Sequence, residues 1–206
     1  MPAWFITHKG LACRLCAVML AVLIVVSPGT LAFTEEQGSR LDELMHLLAQ
    51  RQHGHAAFVE RQYLAILERP LESSGELFYD APDRIEKRTL RPKPESLVLE
   101  KGVVTVRRGA RTYALSLRDY PQFAPLIESV LATLAGDRAA LERAYTLSLD
   151  SADAAWTLGL APREVAVSAV VARIRITGVG EFVREVEVQR TDGDRSVMTV
   201  SELPGK

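Results

Sequence analysis

ESSGELFYDAPDRIEKRTLRPKPESLVL, residues 72–99, is the stretch on which the fold turns. Residues 76–79 and 84–90 each alternate, with Leu77 and Tyr79 on one side and Glu76 and Phe78 on the other. Period two is the signature of a strand with two different faces. Asp80, Ala81, Pro82 and Asp83 form the turn between them. Proline lacks a ladder donor and biases its predecessor toward extended geometry, so Pro82 marks a break between strands, and Pro92 and Pro94 close the segment in the same way. Adjacent strands broken by proline where a sheet must turn predict a curved surface with apolar side chains on its concave face.

Working outward, residues 96–100, 103–107 and 111–117 read as further strands separated by turns at Lys101-Gly102 and Gly109, and residues 56–67 (AAFVERQYLAIL) as a strand running into Pro70. Six short strands with short connections make an antiparallel meander. The period then changes. Pro125 suits a first helical turn, and Leu126, Ile127, Val130, Leu131 and Leu134 follow at helical spacing until Gly136 stops the helix. Asp137 can cap a second short helix through 141–145. Strands resume at 146–149, 155–160, 170–177, 182–189 and 196–201. Thr191-Asp192-Gly193-Asp194 reads as a hairpin turn and not a calcium loop, because no glutamate stands at the required offset.

Upstream, Thr34 and Gln37 form a capping-box pattern that starts a helix, and Leu41, Leu44, Met45 and Leu48 give it one apolar stripe as far as about residue 52. His53-Gly54-His55 then reads as a glycine-ended helix terminus with solvated histidines. With His46 these histidines invite a metal site, but no Cys, Asp or Glu stands at a matching spacing and H-E-x-x-H is absent. No metal and no other cofactor is predicted.

Residues 1–32 carry Lys9 and Arg14, no acid, an apolar run over 15–26 and then Ser27-Pro28-Gly29-Thr30-Leu31-Ala32. That is the pattern of a secretory signal peptide, with cleavage expected after Ala32. The apolar run falls well short of the ~20 residues that span a bilayer. Cys13 and Cys16 lie within this leader, ahead of most of the apolar run, where a lipoprotein cleavage cysteine would not sit. Residues 33–206 then form one expected domain without cysteine, and losing Lys9 and Arg14 takes the 25 basic residues to 23 against 26 acidic ones, a net charge of −3. A mildly acidic chain is a poor partner for nucleic acid or an anionic membrane surface.

Catalytic signatures are absent from residues 33–206: no G-x-S-x-G elbow, no phosphate-cradling glycine loop, no C-x-x-C (Cys13 and Cys16 have that spacing but lie in the leader), no paired carboxylates at a shared-face spacing. Asp150, Ser151 and Asp153 read as a polar turn, and a non-enzyme is expected. The fold predicted is α+β: an unclosed, strongly curved antiparallel half-barrel covered by an N-terminal helix and by a helical lid inserted in mid-chain. Such a concave face is either filled by the helices as a core or left as a lipid-sized cavity. The expected cavity wall comprises Leu77, Tyr79, Ile85, Leu97, Leu99, Tyr113, Leu115 and Trp156, with Leu126, Ile127, Val130, Leu131 and Leu134 from the lid.

The succession of an N-terminal helix, HAAF (55–58), GELFYDAPDRI (75–85), SLVLEKGVVTV (96–106), a leucine-rich helical insert and WTLGLAP (156–162) resembles the outer-membrane lipoprotein carrier (LolA) family, over nearly the whole of residues 33–206. The resemblance implies a monomeric periplasmic carrier that shields acyl chains of lipoproteins or other lipids. It also implies loading at an inner-membrane complex and delivery to an outer-membrane receptor. One departure stands out. The family places a lid-locking arginine just before the proline of the second strand, where this chain has Ala81, and Arg84 is the candidate substitute. Two further readings stay open: an envelope docking or sensing protein on the same fold with no transported cargo, and a hydrolase without a recognisable motif.

Overall fold

A computed structural model of the chain describes residues 29–122 and 124–203. The expected leader lies outside the described residues up to position 28. A helix, α1 (Gly29–Ala49), leads into six strands: β1 (His53–Tyr63), β2 (Leu71–Asp80), β3 (Arg84–Arg91), β4 (Glu95–Glu100), β5 (Val103–Arg108) and β6 (Arg111–Ser116). Two helices follow, α2 (Ala124–Leu134) and α3 (Arg138–Ala144), then β7 (Tyr145–Ala152), β8 (Ala155–Pro162), a one-turn helix α4 (Val165–Ser168), β9 (Val171–Val179), β10 (Phe182–Arg190) and β11 (Arg195–Glu202).

All eleven strands belong to one antiparallel sheet in the order β6-β5-β4-β3-β2-β1-β11-β10-β9-β8-β7. The first and last strands of that order do not pair, so the barrel stays open, and α2 and α3 lie on the stretch of chain that joins its two edges. Pairing registers carry one face across the sheet: Tyr79 stands opposite Ile85, Ile85 opposite Leu99, Leu99 opposite Val104, and Val104 opposite Leu115. Directly opposed residues share a face, so the parity read from residues 72–99 continues over five strands.

The two halves of the concave face are filled differently. Over β7, β8 and β9, α1 lays down Leu41, Leu44, Met45 and Leu48 against Leu149, Leu158, Leu160, Ile174 and Ile176 in a closed core. Over β3, β4 and β5 a smaller cluster of Leu99, Val104, Leu117 and Ala124 is joined by Ile127 and Leu131 of α2. Between these two cores the face is left unfilled.

Four local readings differ from the sequence expectation. The helix α1 starts at Gly29, five residues before Thr34. His53-Gly54-His55 opens β1 and does not end α1: pairing along the whole of β2 sets Gly54 opposite Tyr79 and overrides the glycine's capping preference. Residues 64–67 lie beyond the end of β1 at Tyr63, and α4 has no counterpart in the sequence reading.

Gly136 ends α2 with φ of 65°, and a Cβ there would lie 2.1 Å from the Met45 carbonyl oxygen of α1. Gly136 N–H donates to the Thr133 carbonyl (3.1 Å) and Asp137 N–H to that of Ala132 (2.8 Å), a Schellman closure that only glycine fits at this approach. Asp137 then caps α3 by accepting from the Ala140 N–H at 2.8 Å, and Arg138 reaches back to Asp42 of α1 at 2.8 Å. The base of the lid is thus pinned to α1.

Candidate functional site

The unfilled part of the concave face is a cavity of about 480 Å³, roofed by α2 and walled by β1, β2, β3, β4, β9, β10 and β11. Leu77, Tyr79, Ile85, Leu97 and Leu99 line it from the sheet, and Leu126, Ile127, Val130 and Leu134 from the lid. Small-molecule sites span roughly 300–1,000 Å³, so the space is of ligand size.

Four of the residues expected at this wall lie elsewhere. Leu131 packs into the Leu99 and Val104 cluster beneath α2. Tyr113 and Leu115 have the expected parity, since they stand opposite Val106 and Val104. They sit on the edge strand beyond the reach of α2, 51% and 42% exposed. Trp156 is buried in the core under α1, donating its indole N–H to the Gly180 carbonyl at 2.8 Å. Its six-membered ring lies against Gly178, where a Cβ would come within 2.2 Å of it. On β8 the concave face is core, not cavity.

The opposite wall was missed. Val183, Val186, Val188, Met198 and Val200 line the cavity from β10 and β11. Val183 and Val186 differ by an odd number of positions, but a register shift between Val183 and Glu185 inserts one residue and returns both to the same face.

Also unanticipated is an ion pair in the middle of the apolar wall. Glu60 is 7% exposed, although it is a carboxylate on an inward position of β1. It contacts the Lys87 ammonium, and its oxygens also accept from Ser196 Oγ at 2.8 Å, Gln62 Nε2 at 3.3 Å and Ser73 Oγ at 3.4 Å. Burial acts to raise its pKa, but the Lys87 charge and these hydrogen bonds outweigh it and hold the carboxyl below the ordinary range. Lys87 reaches Glu60 across the Phe58 ring, its Nζ 5.0 Å from the centroid, past Gly75, which stands opposite Phe58 without a side chain. The Tyr79 hydroxyl is buried with no hydrogen-bond partner among the described residues.

Two sequence expectations end on the convex side. Arg84 does not replace the missing lid arginine: it neighbours Ile85, faces outward, and donates to Asp80 at 2.8 Å and Glu86 at 3.2 Å. With Ala81 before Pro82, no arginine latch forms from either position, and apolar contact holds α2 over the sheet. His53 lies 3.1 Å from Asp80, and His55 stacks on Phe78 at 4.3 Å. Among the described residues no group of three or more His, Cys, Asp or Glu could hold a metal ion.

An open antiparallel half-barrel with a helical roof over an apolar chamber defines a class of proteins that enclose an apolar ligand or close upon a core. The chain belongs to the outer membrane lipoprotein carrier protein LolA-like family, whose sequence model matches residues 35–201. Among solved structures it is similar to a LolA superfamily protein from Nitrosomonas europaea, at 12% identity over 82% of this chain and 94% of that one, with a TM-score of 0.43. A DUF1329 family protein from Desulfovibrio piger gives 11% identity over 81% and 90%, TM-score 0.45. MucB gives 17% over 82% of this chain and 58% of its own, TM-score 0.47. Comparison with curated proteins gave no match. No helix among the described residues is long and apolar enough to cross a membrane.

Proposed function

We propose that this protein is a periplasmic carrier that shields acyl chains of lipoproteins or other lipids during transfer toward the outer membrane. The observation that carries the reading is the roofed apolar cavity between two closed cores: α1 fills one half of the concave face, whereas α2 leaves a space of about 480 Å³. Membership of the LolA-like family supports it.

Each buried methylene contributes roughly 0.8 kcal/mol, so a chain of about 16 carbons offers on the order of 10 kcal/mol before ordering costs. Binding of that depth is compatible with transfer only if the roof opens, and a roof held by apolar contact without a latch suits that. In this reading the leader is cleaved after Ala32, the protein acts as a monomer without catalysis, an inner-membrane complex loads it and an outer-membrane receptor unloads it.

Native mass spectrometry of protein purified from a membrane-containing lysate tests the proposal. One acylated molecule per chain, released on denaturation and identified by its fragments, is the expected result. Ligand-free protein that also fails to take up added lipid would leave the docking or sensing reading in its place.

A further inference from the structure

The Glu60 and Lys87 pair is an odd component for a chamber that holds hydrocarbon. Taking two charges out of water is costly, and an apolar pair of the same volume often does as well or better. The pair is also unevenly satisfied. Glu60 has four donors around its two oxygens, from Lys87, Gln62, Ser73 and Ser196. The Lys87 ammonium, with three donors to give, has Glu60 as its single acceptor among the described residues, and a quarter of its side chain is exposed on the cavity side. Tyr79, on the same wall, has its hydroxyl buried without a partner. Lys87 therefore offers the cavity hydrogen-bond donors whose charge Glu60 already balances.

An acyl headgroup meeting these donors faces a simple electrostatic choice. A free carboxylate at Lys87 would stand beside the Glu60 carboxylate and leave a net negative charge in an apolar wall, which is costly. An ester or amide carbonyl accepts from Lys87 and adds no charge. Of the other cations on the cavity lining, Arg195 lies 3.6 Å from Glu187, which it shares with Arg175, and stacks on Tyr63, Arg190 pairs with Asp192 at 2.6 Å, and Arg51 lies over the Phe182 ring.

We propose that the cavity selects acyl chains carried as esters or amides over free fatty acids, with Lys87 donating to the acyl carbonyl and the fixed carboxylate of Glu60 excluding a second anion. The inference rests on the carrier reading and names the chemical class of its cargo.

The test is displacement of the neutral fluorophore N-phenyl-1-naphthylamine from the purified protein at pH 8 by palmitate and by 1-monopalmitoylglycerol. The monoacylglycerol is expected to compete at about tenfold lower concentration. Glu60→Gln, which leaves Lys87 as an unmatched cation, should improve competition by palmitate and bring the ratio to about one or below. Should Glu60→Gln not fold, the double variant Glu60→Leu with Lys87→Leu removes both charges and should likewise lose the discrimination. Equal competition by both ligands in the native chain overturns the inference and leaves the carrier reading standing. So does a ratio that neither folded variant moves. If neither ligand displaces the fluorophore, the carrier reading fails, and the inference with it.

Discussion

Glu60 lies in a strand whose apolar residues fall on both parities, Ala56 and Phe58 on one and Val59 and Tyr63 on the other, so its sequence assigns no face to it. The register does: Glu60 stands opposite Ser73 and Met198, inside. Removing one member of a buried ion pair strands the other, whereas removing both is close to neutral. Glu60→Leu and Lys87→Met alone should therefore each cost about 3 kcal/mol in urea unfolding, and the double variant markedly less than their sum. Additive losses would show that the pair is not energetically coupled. The pH dependence has a definite sign. Because the folded-state pKa of Glu60 is lowered, its contribution is complete above the unfolded value and is lost as pH falls through the folded one. The stability gap between native protein and Glu60→Gln should be constant near neutrality and narrow below the ordinary carboxylate value of 4.5. Thermal melts from pH 7 to pH 3 measure it, and a gap that widens on acidification contradicts the assignment.

At the scale of elements, strand parity was legible where large apolar residues recur at every second position, as Leu77 and Tyr79 on β2 and Leu97 and Leu99 on β4. What covers a face was not. Tyr113, Leu115 and Trp156 have inward parity, yet the first two lie past the end of the roof and the third under α1, because coverage depends on where helices distant in sequence come to rest. The parity of β10 was hidden by its bulge, which no single residue in the sequence announces. The lid helix itself was readable within one residue from Pro125 and Gly136. Its two buried hydroxyls are satisfied within the helix, Ser129 Oγ donating to the Leu126 carbonyl and Thr133 Oγ1 to that of Ser129, each at 2.8 Å. They leave Ile127 and Leu131 as the contacts to the sheet cluster. Ile127→Ala should weaken that hold by about 2 kcal/mol and speed dissociation of a bound fluorophore by at least about tenfold, with the melting temperature only modestly lowered. Stopped-flow release at an unchanged rate would mean that α2 is not the gate.

Over the whole molecule, the division of one concave face into a closed core and an open chamber predicts where substitutions matter for binding. Leu97→Ser, on the wall, should weaken neutral-fluorophore binding about tenfold, whereas Tyr113→Ser, beyond the roof, should leave it within about twofold. A fluorescence titration of the two variants separates these cases, and comparable losses would place the ligand on the exposed edge instead. The open seam has a mechanical consequence. Strands β6 and β7 border the gap on opposite sides, and the segment that carries the roof joins them across it. Lifting the roof therefore tugs on both lips of the seam together, as opening a clasp parts the two sides of a purse. Widening the seam, in turn, tightens or slackens the roof. In the carrier reading, a cargo too stout for the chamber helps in this way to open its own door.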